Sequence, residues 1–231
     1  MKKDISKALK DTIPVLSGYM VLGMGFGVLM QTNGYGFWLV FAMSALIYAG
    51  SMQYLAVDLM CGGASLISAA LATLMVNARH LFYGISMVDK YKGTGKKKPY
   101  LIFALTDETY SLVCSENEDK SDKERHCYYF LVSLFNQIYW VSGSVIGVLL
   151  GEIIPFSTEG IDFALTALFV TVFVDQWKGT KNHIPATVGV CASVFSLLVF
   201  GAKDFLIPAM LIITLLLSLP KLFEKGVKSD E

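Results

Sequence analysis

Long uncharged apolar blocks, rather than a 3.6- or 2-residue alternation, form the hydrophobic pattern of this chain. Blocks of about 17 to 25 such residues match the roughly 30 Å hydrocarbon core of a bilayer. The pattern predicts an all-α, polytopic membrane helical bundle of about seven to eight segments, within a single integral membrane domain spanning residues 1–231. The approximate segment bounds are 13–31, 37–57, 64–88, 100–114, 128–151, 161–177, 183–201 and 205–220.

The composition agrees with a membrane protein and argues against several other classes. Of the 231 residues, 54% are hydrophobic and 16% are charged, and 19 basic residues balance 19 acidic ones. This balance is not typical of a nucleic-acid-binding surface. The four cysteines show no CxxC spacing, so we expect neither a zinc site nor a disulfide framework. We also expect no other metal site and no cofactor. The chain also lacks a Walker A motif with which it could hydrolyse ATP.

Charged and amide side chains interrupt three of the apolar blocks. They are Gln53 in segment two, Asn77, Arg79 and His80 in segment three, and Asp107 and Glu108 in segment four. A charged group at membrane depth is costly unless it faces protein, water or an opposite charge, so these positions are hypotheses for a functional site. For Gln53, a hydrogen bond between two helices is an equally good interpretation.

The short loop between segments three and four allows Arg79 and His80 to lie near Asp107 and Glu108, if the two segments pack antiparallel. A carboxylate beside Arg79 would keep its charge, whereas a second carboxylate next to the first would be driven towards protonation. One fixed ion pair and one titratable group would suit proton coupling. The alternatives are structural, namely an Arg79–Asp107 pair that locks two helices together and a His80 that only makes a hydrogen bond.

The distribution of lysines makes predictions about topology. Lysines are concentrated in residues 2–10, in the 90–98 loop and after residue 220, so the positive-inside rule predicts that this loop and both termini are cytoplasmic. An even number of crossings must then separate the N-terminus from the loop, whereas the hydrophobic pattern gives an odd number. A break in segment one at its glycines, or a break in segment three between Asn77 and His80 after which the chain turns back, would restore the parity.

A glycine pattern connects the two halves of the chain. A tyrosine followed by glycines four and eight residues later occurs at Tyr19 and again at Tyr139. In segment five, Gly143, Gly147 and Gly151 recur at the four-residue spacing of a helix, which predicts a packing stripe. Structural repeats are common in secondary transporters, with binding sites formed by interrupted helices at the repeat interface. The pattern raises the hypothesis of two repeat halves, residues 13–114 and 128–220.

Six short motifs, in a fixed order over about residues 11–180, carry a resemblance to a known family. They are Pro14–Gly18, Tyr48–Gln53, Asn77–Gly84, Asp107–Thr109, Tyr139–Gly143 and Gly160–Phe169. Together they resemble the AzlC family of membrane proteins. The Asn-x-Arg-His run and the Asp-Phe-Ala-Leu-x-Ala-Leu-Phe run are the most specific of them.

The resemblance implies the large subunit of a branched-chain amino-acid exporter, of the class associated with azaleucine resistance, in the bacterial inner (cell) membrane. It also implies a small hydrophobic AzlD-type membrane subunit as partner, with branched-chain amino acids and protons as substrates, and it is compatible with a higher oligomer. The marked positions of the family correspond to Gln53, Asn77, Arg79, His80, Asp107 and Glu108.

The chemistry of a zwitterionic substrate suggests roles for these positions. Arg79 suits the carboxylate because a guanidinium can bind it bidentately, and Asp107 or Glu108 suits the ammonium group. We expect substrate binding by Arg79, Asn77, Gln53 and Glu108, and proton coupling by Asp107, Glu108 and His80.

Two other classes of function are alternatives. A channel or facilitator for a small solute would use the Arg79 cluster as a selectivity element, and its flux would follow concentration without coupling to pH. An intramembrane enzyme would use His80 with Asp107 or Glu108 as acid and base, but no nucleophile or metal-ligand spacing accompanies them. We therefore expect a transporter and not an enzyme.

Overall fold

The computed structural model shows a helical protein, with no β-strand in the residues that it describes. Contacts divide the chain into two compact units, residues 1–161 and 162–231. The described residues are 2–114, 121–153 and 182–205, together with 166, 170, 173–174, 177–178, 208–209 and 211–217.

The first unit begins and ends with a long helix, and short helices lie between the two. Its helices are α1 (Lys2–Thr32), α2 (Phe37–Ala42) with a π-helical turn (Met43–Ile47), α3 (Gly50–Cys61), α4 (Leu66–Val76), α5 (Arg79–Met87), α6 (Lys98–Phe103), α7 (Asp107–Cys114) and α8 (Asp122–Ile153). In the second unit, α9 spans Ile184–Asp204 and is kinked at Gly201, where φ is 76°.

Three helices in the described part of the chain are long and apolar enough to cross a membrane: Asp4–Thr32, Asp122–Ile153 and Ile184–Gly201. They correspond to predicted segments one, five and seven, and the prediction of an all-α membrane protein is confirmed. Segments two, three and four contain shorter helices because each of them is divided by a break. Segments six and eight, the Gly160–Phe169 motif and the C-terminal lysines fall largely or wholly outside the described residues.

The pairing of α1 with α8 is the most extensive helix contact of the first unit. A Cβ atom on Gly23 would lie 2.9 Å from the Trp140 carbonyl oxygen, and one on Gly143 would lie 2.9 Å from that of Tyr19. These distances are too short for a side chain, so glycine at both positions allows the two backbones to touch. The glycine packing stripe that the sequence indicates on α8 is present.

The same contacts show that α1 runs parallel to α8. Gly143 faces Met20 and Gly151 faces Gln31, so both helices advance in the same direction. The hypothesis that segment one breaks at its glycines is wrong, because α1 is helical throughout Lys2–Thr32. Its glycines allow close contact with α8 and do not interrupt the helix.

One end of the first unit, which we call the basic end, contains the start of α1, residues 88–97 and the start of α8. Ala8 packs with Tyr91 and Tyr128 in one buried cluster. The Lys7 ammonium group lies 4.8 Å from the centroid of the Tyr128 ring. The N-terminus and the lysine-rich loop therefore lie on the same side of the unit, as the positive-inside rule requires.

Residues 37–61 form a helical hairpin, hairpin A, made of α2, the π-helical turn and α3. It begins just after α1 ends, and its last residue, Cys61, donates a hydrogen bond from Sγ to Asn33 Oδ1 at 3.2 Å. Both of its ends therefore lie opposite to the basic end. The chain reverses at Tyr48 and Ala49, and Tyr48 has the left-handed backbone conformation, with φ 48° and ψ 45°.

Residues 98–114 form a second hairpin, hairpin B, made of α6 and α7. Lys90 Nζ donates a hydrogen bond to the Val113 carbonyl at 3.2 Å, which holds the end of α7 at the basic end. Leu101 of α6 belongs to the same buried cluster as Val113. Both ends of hairpin B thus lie at the basic end, and the hairpin turns at residues 104–106.

Segment three is divided as well, since α4 ends at Val76 and α5 begins at Arg79. A break at this position is one of the two that the sequence predicts, but the predicted turning back of the chain is wrong. The chain continues towards the basic end after the break, because Met87 at the end of α5 packs in the same buried cluster as Ala8. The breaks in segments two and four are not predicted from the sequence.

Candidate substrate and proton site

The turns of the two hairpins meet beside Tyr19 of α1. Tyr19 Oη donates a hydrogen bond to Glu108 Oε2 at 2.5 Å and lies 2.9 Å from Thr106 Oγ1. Tyr48, at the turn of hairpin A, lies beside the hydroxyl groups of Tyr19 and Thr106. We call these four residues, together with Thr109, the hairpin-tip cluster. It joins α1 and both hairpins in one polar site.

Hairpin B presents its two carboxylates at the start of a helix. Thr106 caps α7, because its Oγ1 accepts a hydrogen bond from the Thr109 N–H at 3.3 Å. Asp107 and Glu108 lie in the first turn of α7, where the helix dipole stabilises negative charge. The break at residues 104–106 therefore places the two carboxylates at a helix N-terminus, which lowers the cost of having charged groups in an apolar segment.

A chain of hydrogen bonds orients the hydroxyl groups of the cluster. Asn136 Nδ2 of α8 donates to Thr109 Oγ1 at 3.0 Å, and Thr106 Oγ1 donates to the same oxygen at 3.1 Å. Tyr19 has one proton, which goes to Glu108, since an ionised carboxylate is the stronger acceptor. Glu108 itself is exposed, although Tyr19 and Thr109 beside it are buried. A carboxylate in this position can accept a proton or a cation from the open space next to it.

Tyr48 is a member of the site that the sequence analysis did not select. Its side chain is 4% exposed, and its ring centroid lies 6.3 Å from that of Phe103. Its hydroxyl oxygen makes no hydrogen bond with any described residue. The signal in the sequence was the Tyr-Ala-Gly-Ser run at Tyr48, whose small residues allow a tight reversal, but hydropathy alone treats this run as part of a continuous segment.

Gln53 is held by neighbours within the protein. Its Oε1 accepts a hydrogen bond from Trp140 Nε1 at 3.0 Å, and its Nε2 donates to Ser44 Oγ at 3.3 Å. The Trp140 ring stands edge-on to the Tyr19 ring, with 5.5 Å between centroids. Gln53 therefore links hairpin A to α8 beside the cluster, in the way that the interhelical interpretation expects, and its substrate role stays a prediction.

The break in segment three contains a second set of polar groups. The His80 N–H donates to the Asn77 carbonyl at 2.9 Å, and Asn77 Oδ1 is buried without a partner in the described part of the chain. Arg79 is the first residue of α5, and its side chain lies outside the described structure. The predicted proximity of Arg79 to Asp107 therefore stays a prediction.

Helix α5 contacts α7 through one ring pair, and both helices end at the basic end, so they are parallel and not antiparallel as the sequence analysis assumed. The rings of Tyr83 on α5 and Tyr110 on α7 are stacked, with 4.6 Å between their centroids. His80 lies one turn before Tyr83, and the two ring centroids are 6.0 Å apart. His80 and Arg79 thus begin a helix whose partner is the helix that begins with Asp107 and Glu108.

The fold and the site together define a class of protein. In the first unit, two membrane-length helices pack with interrupted helices, one of whose polar turns carries carboxylates, and such turns are where secondary transporters bind substrates and ions. The molecule is a helical membrane transport protein.

Residues 14–154 match the family model described as AzlC protein, and the chain belongs to the AzlC family. It is 45% identical to the branched-chain amino acid transport protein AzlC of Bacillus subtilis (strain 168), over 95% of this chain and 86% of that protein. No solved structure is significantly similar to the chain.

Two further relatives are named only as membrane proteins. A membrane protein of Helicobacter pylori (strain 26695) is 40% identical, over 92% of this chain and 95% of the relative. The inner membrane protein YgaZ of Escherichia coli (strain K12) is 26% identical, over 80% of this chain and 79% of its own length. The full-length similarity to membrane proteins agrees with the membrane location of this chain.

Proposed function

We propose that the protein is a secondary-active exporter of branched-chain amino acids, driven by the proton gradient across the bacterial cell membrane. The observation that carries the proposal is the exposed Glu108 carboxylate, bonded to Tyr19 where two hairpin turns meet. The name of the Bacillus subtilis relative supports the substrate class. The family resemblance supports a small AzlD-type subunit as the partner of the chain in the membrane.

Coupling by Glu108 follows from competition for one carboxylate. An exporter driven by inward proton flow must exchange a proton for its substrate. Glu108 can hold a proton or the ammonium group of an amino acid, but its negative charge cannot satisfy both at once. Binding of either one therefore weakens binding of the other, and this linkage is the basis of exchange. Asp107, in the same helical turn, and His80 are the further candidates for carrying the proton.

The remaining predicted residues supply the other parts of a zwitterion site. Arg79 is proposed to bind the substrate carboxylate through its planar guanidinium, and Asn77 offers an Oδ1 acceptor without a described partner. An apolar pocket of about 360 Å³ adjoins Gln53 and is suited to an aliphatic side chain. It is lined by Met43, Ile47, Met52, Gln53, Ala56, Leu59, Met60, Gly63, Ala64, Leu66, Ala69 and Thr73. Such a pocket discriminates only weakly between leucine, isoleucine and valine.

We propose that both hairpins enter the membrane and return on the side from which they came. The π-helical turn and α2 together, Phe37–Ile47, form a shorter apolar helix of about half the membrane thickness at 1.5 Å per residue. With hairpin A re-entrant, α1 and the α4–α5 pair are the only crossings between the N-terminus and the 90–98 loop. Their even number satisfies the positive-inside rule and places the basic end in the cytoplasm.

Cysteine labelling tests this arrangement of hairpin A. In a variant with Cys114, Cys127 and Cys191 replaced by serine, we expect an impermeant maleimide added outside intact cells to label Cys61. A Gly36→Cys variant in which Cys61 is also replaced should be labelled from the same side, because a re-entrant hairpin returns both ends to one surface. A Lys92→Cys variant at the basic end should react only after the membrane is opened. Labelling of positions 36 and 61 from opposite sides would show that hairpin A is a span.

Counterflow in proteoliposomes tests the transport function. Vesicles containing the chain with its small subunit should accumulate labelled leucine and valine against unlabelled leucine inside, and an acidic exterior should accelerate efflux. Methionine and a solute that is not an amino acid define the substrate range, and vesicles without the small subunit show whether it is required. Flux that follows concentration alone, with no response to pH, would identify the channel or facilitator instead.

A further inference from the structure

The hairpin-tip cluster presents oxygen atoms from three parts of the chain to one place. They are the hydroxyl oxygens of Tyr19, Tyr48, Thr106 and Thr109 and the carboxylate of Glu108. Asn136 is the amide donor that reaches the cluster, and its Nδ2 is engaged with Thr109. The site therefore has one formal negative charge, supplied by Glu108, and a set of acceptor atoms. These properties suit a cationic group with several hydrogen-bond donors.

The Tyr48 hydroxyl is unusual within this cluster. A buried hydroxyl without a hydrogen-bond partner opposes folding, because it has lost its water and gained nothing in return. The Tyr48 oxygen lies beside the hydroxyl groups of Tyr19 and Thr106, and Tyr19 in turn bonds Glu108, yet no described residue is placed with the geometry of a hydrogen bond to Tyr48. Its position therefore indicates a partner that is bound only at a stage of the transport cycle.

The backbone around Tyr48 adds a second source of negative potential. The π-helical turn ends at Ile47, so carbonyl groups at its C-terminal end project towards the reversal at Tyr48 and Ala49. The C-terminal end of a helix carries partial negative charge and favours a cation. In other membrane transporters, such C-terminal ends of interrupted helices coordinate Na⁺ or H⁺.

We propose that the Tyr48 hydroxyl and the Glu108 carboxylate together bind the ammonium group of the transported amino acid, between the turns of hairpins A and B. This inference rests on the proposed function and adds a residue to its substrate site. An ammonium group has three N–H donors. Glu108 accepts one, Tyr48 accepts a second, and the third goes to a carbonyl at the C-terminal end of the π-helical turn, where the partial negative charge of the helix favours a cation. Because each hairpin contributes a ligand, the bound substrate would connect the turns of the two hairpins.

The test compares leucine with 4-methyl-2-oxopentanoate, which has the same side chain and carboxylate but no ammonium group. We expect the wild-type complex in proteoliposomes to prefer leucine by about a hundredfold or more, since a site built to bond an N–H group rejects the analogue that lacks it. In Tyr48→Phe, the counterflow KM for leucine should rise about tenfold, because a hydrogen bond to a charged group is lost. The KM for the keto acid should not change, so the preference for leucine over the keto acid should fall by the same factor as the leucine KM rises.

Tyr91→Phe is the matched control. Tyr91 is also buried with a hydroxyl that has no partner among the described residues, but it lies at the basic end, away from the cluster. This variant should keep the wild-type KM for leucine and the wild-type preference for leucine over the keto acid. Neither variant should lower the melting temperature, since neither hydroxyl makes a hydrogen bond with a described residue. A fall in the melting temperature of Tyr48→Phe with an unchanged preference would assign Tyr48 a structural role and overturn the inference.

The outcomes separate the inference from the function on which it rests. If the wild-type complex exchanges no amino acid, the proposed function is wrong and the inference falls with it. If the wild type exchanges leucine and Tyr48→Phe behaves as Tyr91→Phe does, the function stands and the ammonium site is wrong. A wild type that exchanges the keto acid as well as leucine would also refute an ammonium site at the hairpin turns.

Discussion

Replacement of Glu108 by glutamine should reduce proton-driven export of leucine to the background of vesicles without the protein. The amide keeps the shape of the side chain and can still accept a hydrogen bond from Tyr19 Oη, so the hairpins should remain packed. It cannot take up a proton, and it has no charge with which to bind an ammonium group. The measurement is efflux of labelled leucine from proteoliposomes with an acidic exterior, at equal amounts of incorporated protein.

Two further carboxylates serve as comparisons for Glu108→Gln. Glu152 is an exposed residue near the end of α8, and Glu152→Gln should export leucine as the wild type does. Asp107→Asn tests the neighbouring carboxylate, and it should keep a pH response if Glu108 alone carries the proton. A Glu108→Gln variant with wild-type, pH-dependent efflux would contradict the coupling role. Loss of the pH response in Asp107→Asn alone would transfer that role to Asp107.

Replacement of Gly27 by alanine should destabilise the protein more than other changes at the glycines of α1. The added Cβ would overlap backbone atoms of Ser144 and Val148 on α8, and a backbone within a helix cannot move aside as a flexible side chain can. We expect the cost to reach about 3 kcal/mol or more, at the upper end for overpacked sites. The measurements are the yield of monodisperse protein in detergent and its melting temperature.

Gly18 on the same helix provides the matched control for Gly27. A Cβ on Gly18 would have no heavy atom within 4 Å, so Gly18→Ala should be neutral or stabilising by up to about 1 kcal/mol through its higher helix propensity. Equal melting temperatures for Gly18→Ala and Gly27→Ala would show that the α1–α8 contact is looser than the structure indicates.

The helix scaffold and the site are connected through Tyr19. Tyr19 lies one turn before Gly23, whose close contact with α8 fixes the rotation of α1 about its axis. That rotation brings the Tyr19 ring against Trp140 and its hydroxyl to Glu108. A change at the glycines should therefore disturb transport as well as stability, because the hairpin turns are organised around a residue that the α1–α8 contact positions.

The sequence by itself determined the class of the protein, the family and the polar residues of interest. Apolar blocks of this length and composition fold as membrane segments. The cost of burying Arg79, Asp107 and Glu108 in a membrane makes these three residues candidates for a functional site, whatever their exact position. The lysine distribution also required a segment before the 90–98 loop that does not cross the membrane, but the break at Asn77 does not supply it, because the chain continues past Asn77 to the basic end. The small-residue spacing indicated a packing stripe, which α8 uses against α1.

Only the tertiary structure decided which segments are hairpins and which residues form the site. Hydropathy is the same for a helix that crosses a membrane and for two half-helices that return to the side from which they entered. The apolar pattern therefore cannot reveal the reversals at Tyr48 and at residues 104–106. What allows a reversal is the satisfaction of its polar groups by distant residues. Tyr19 bonds Glu108 across 89 positions of sequence, and such a contact exists only once α1 and both hairpins have packed together.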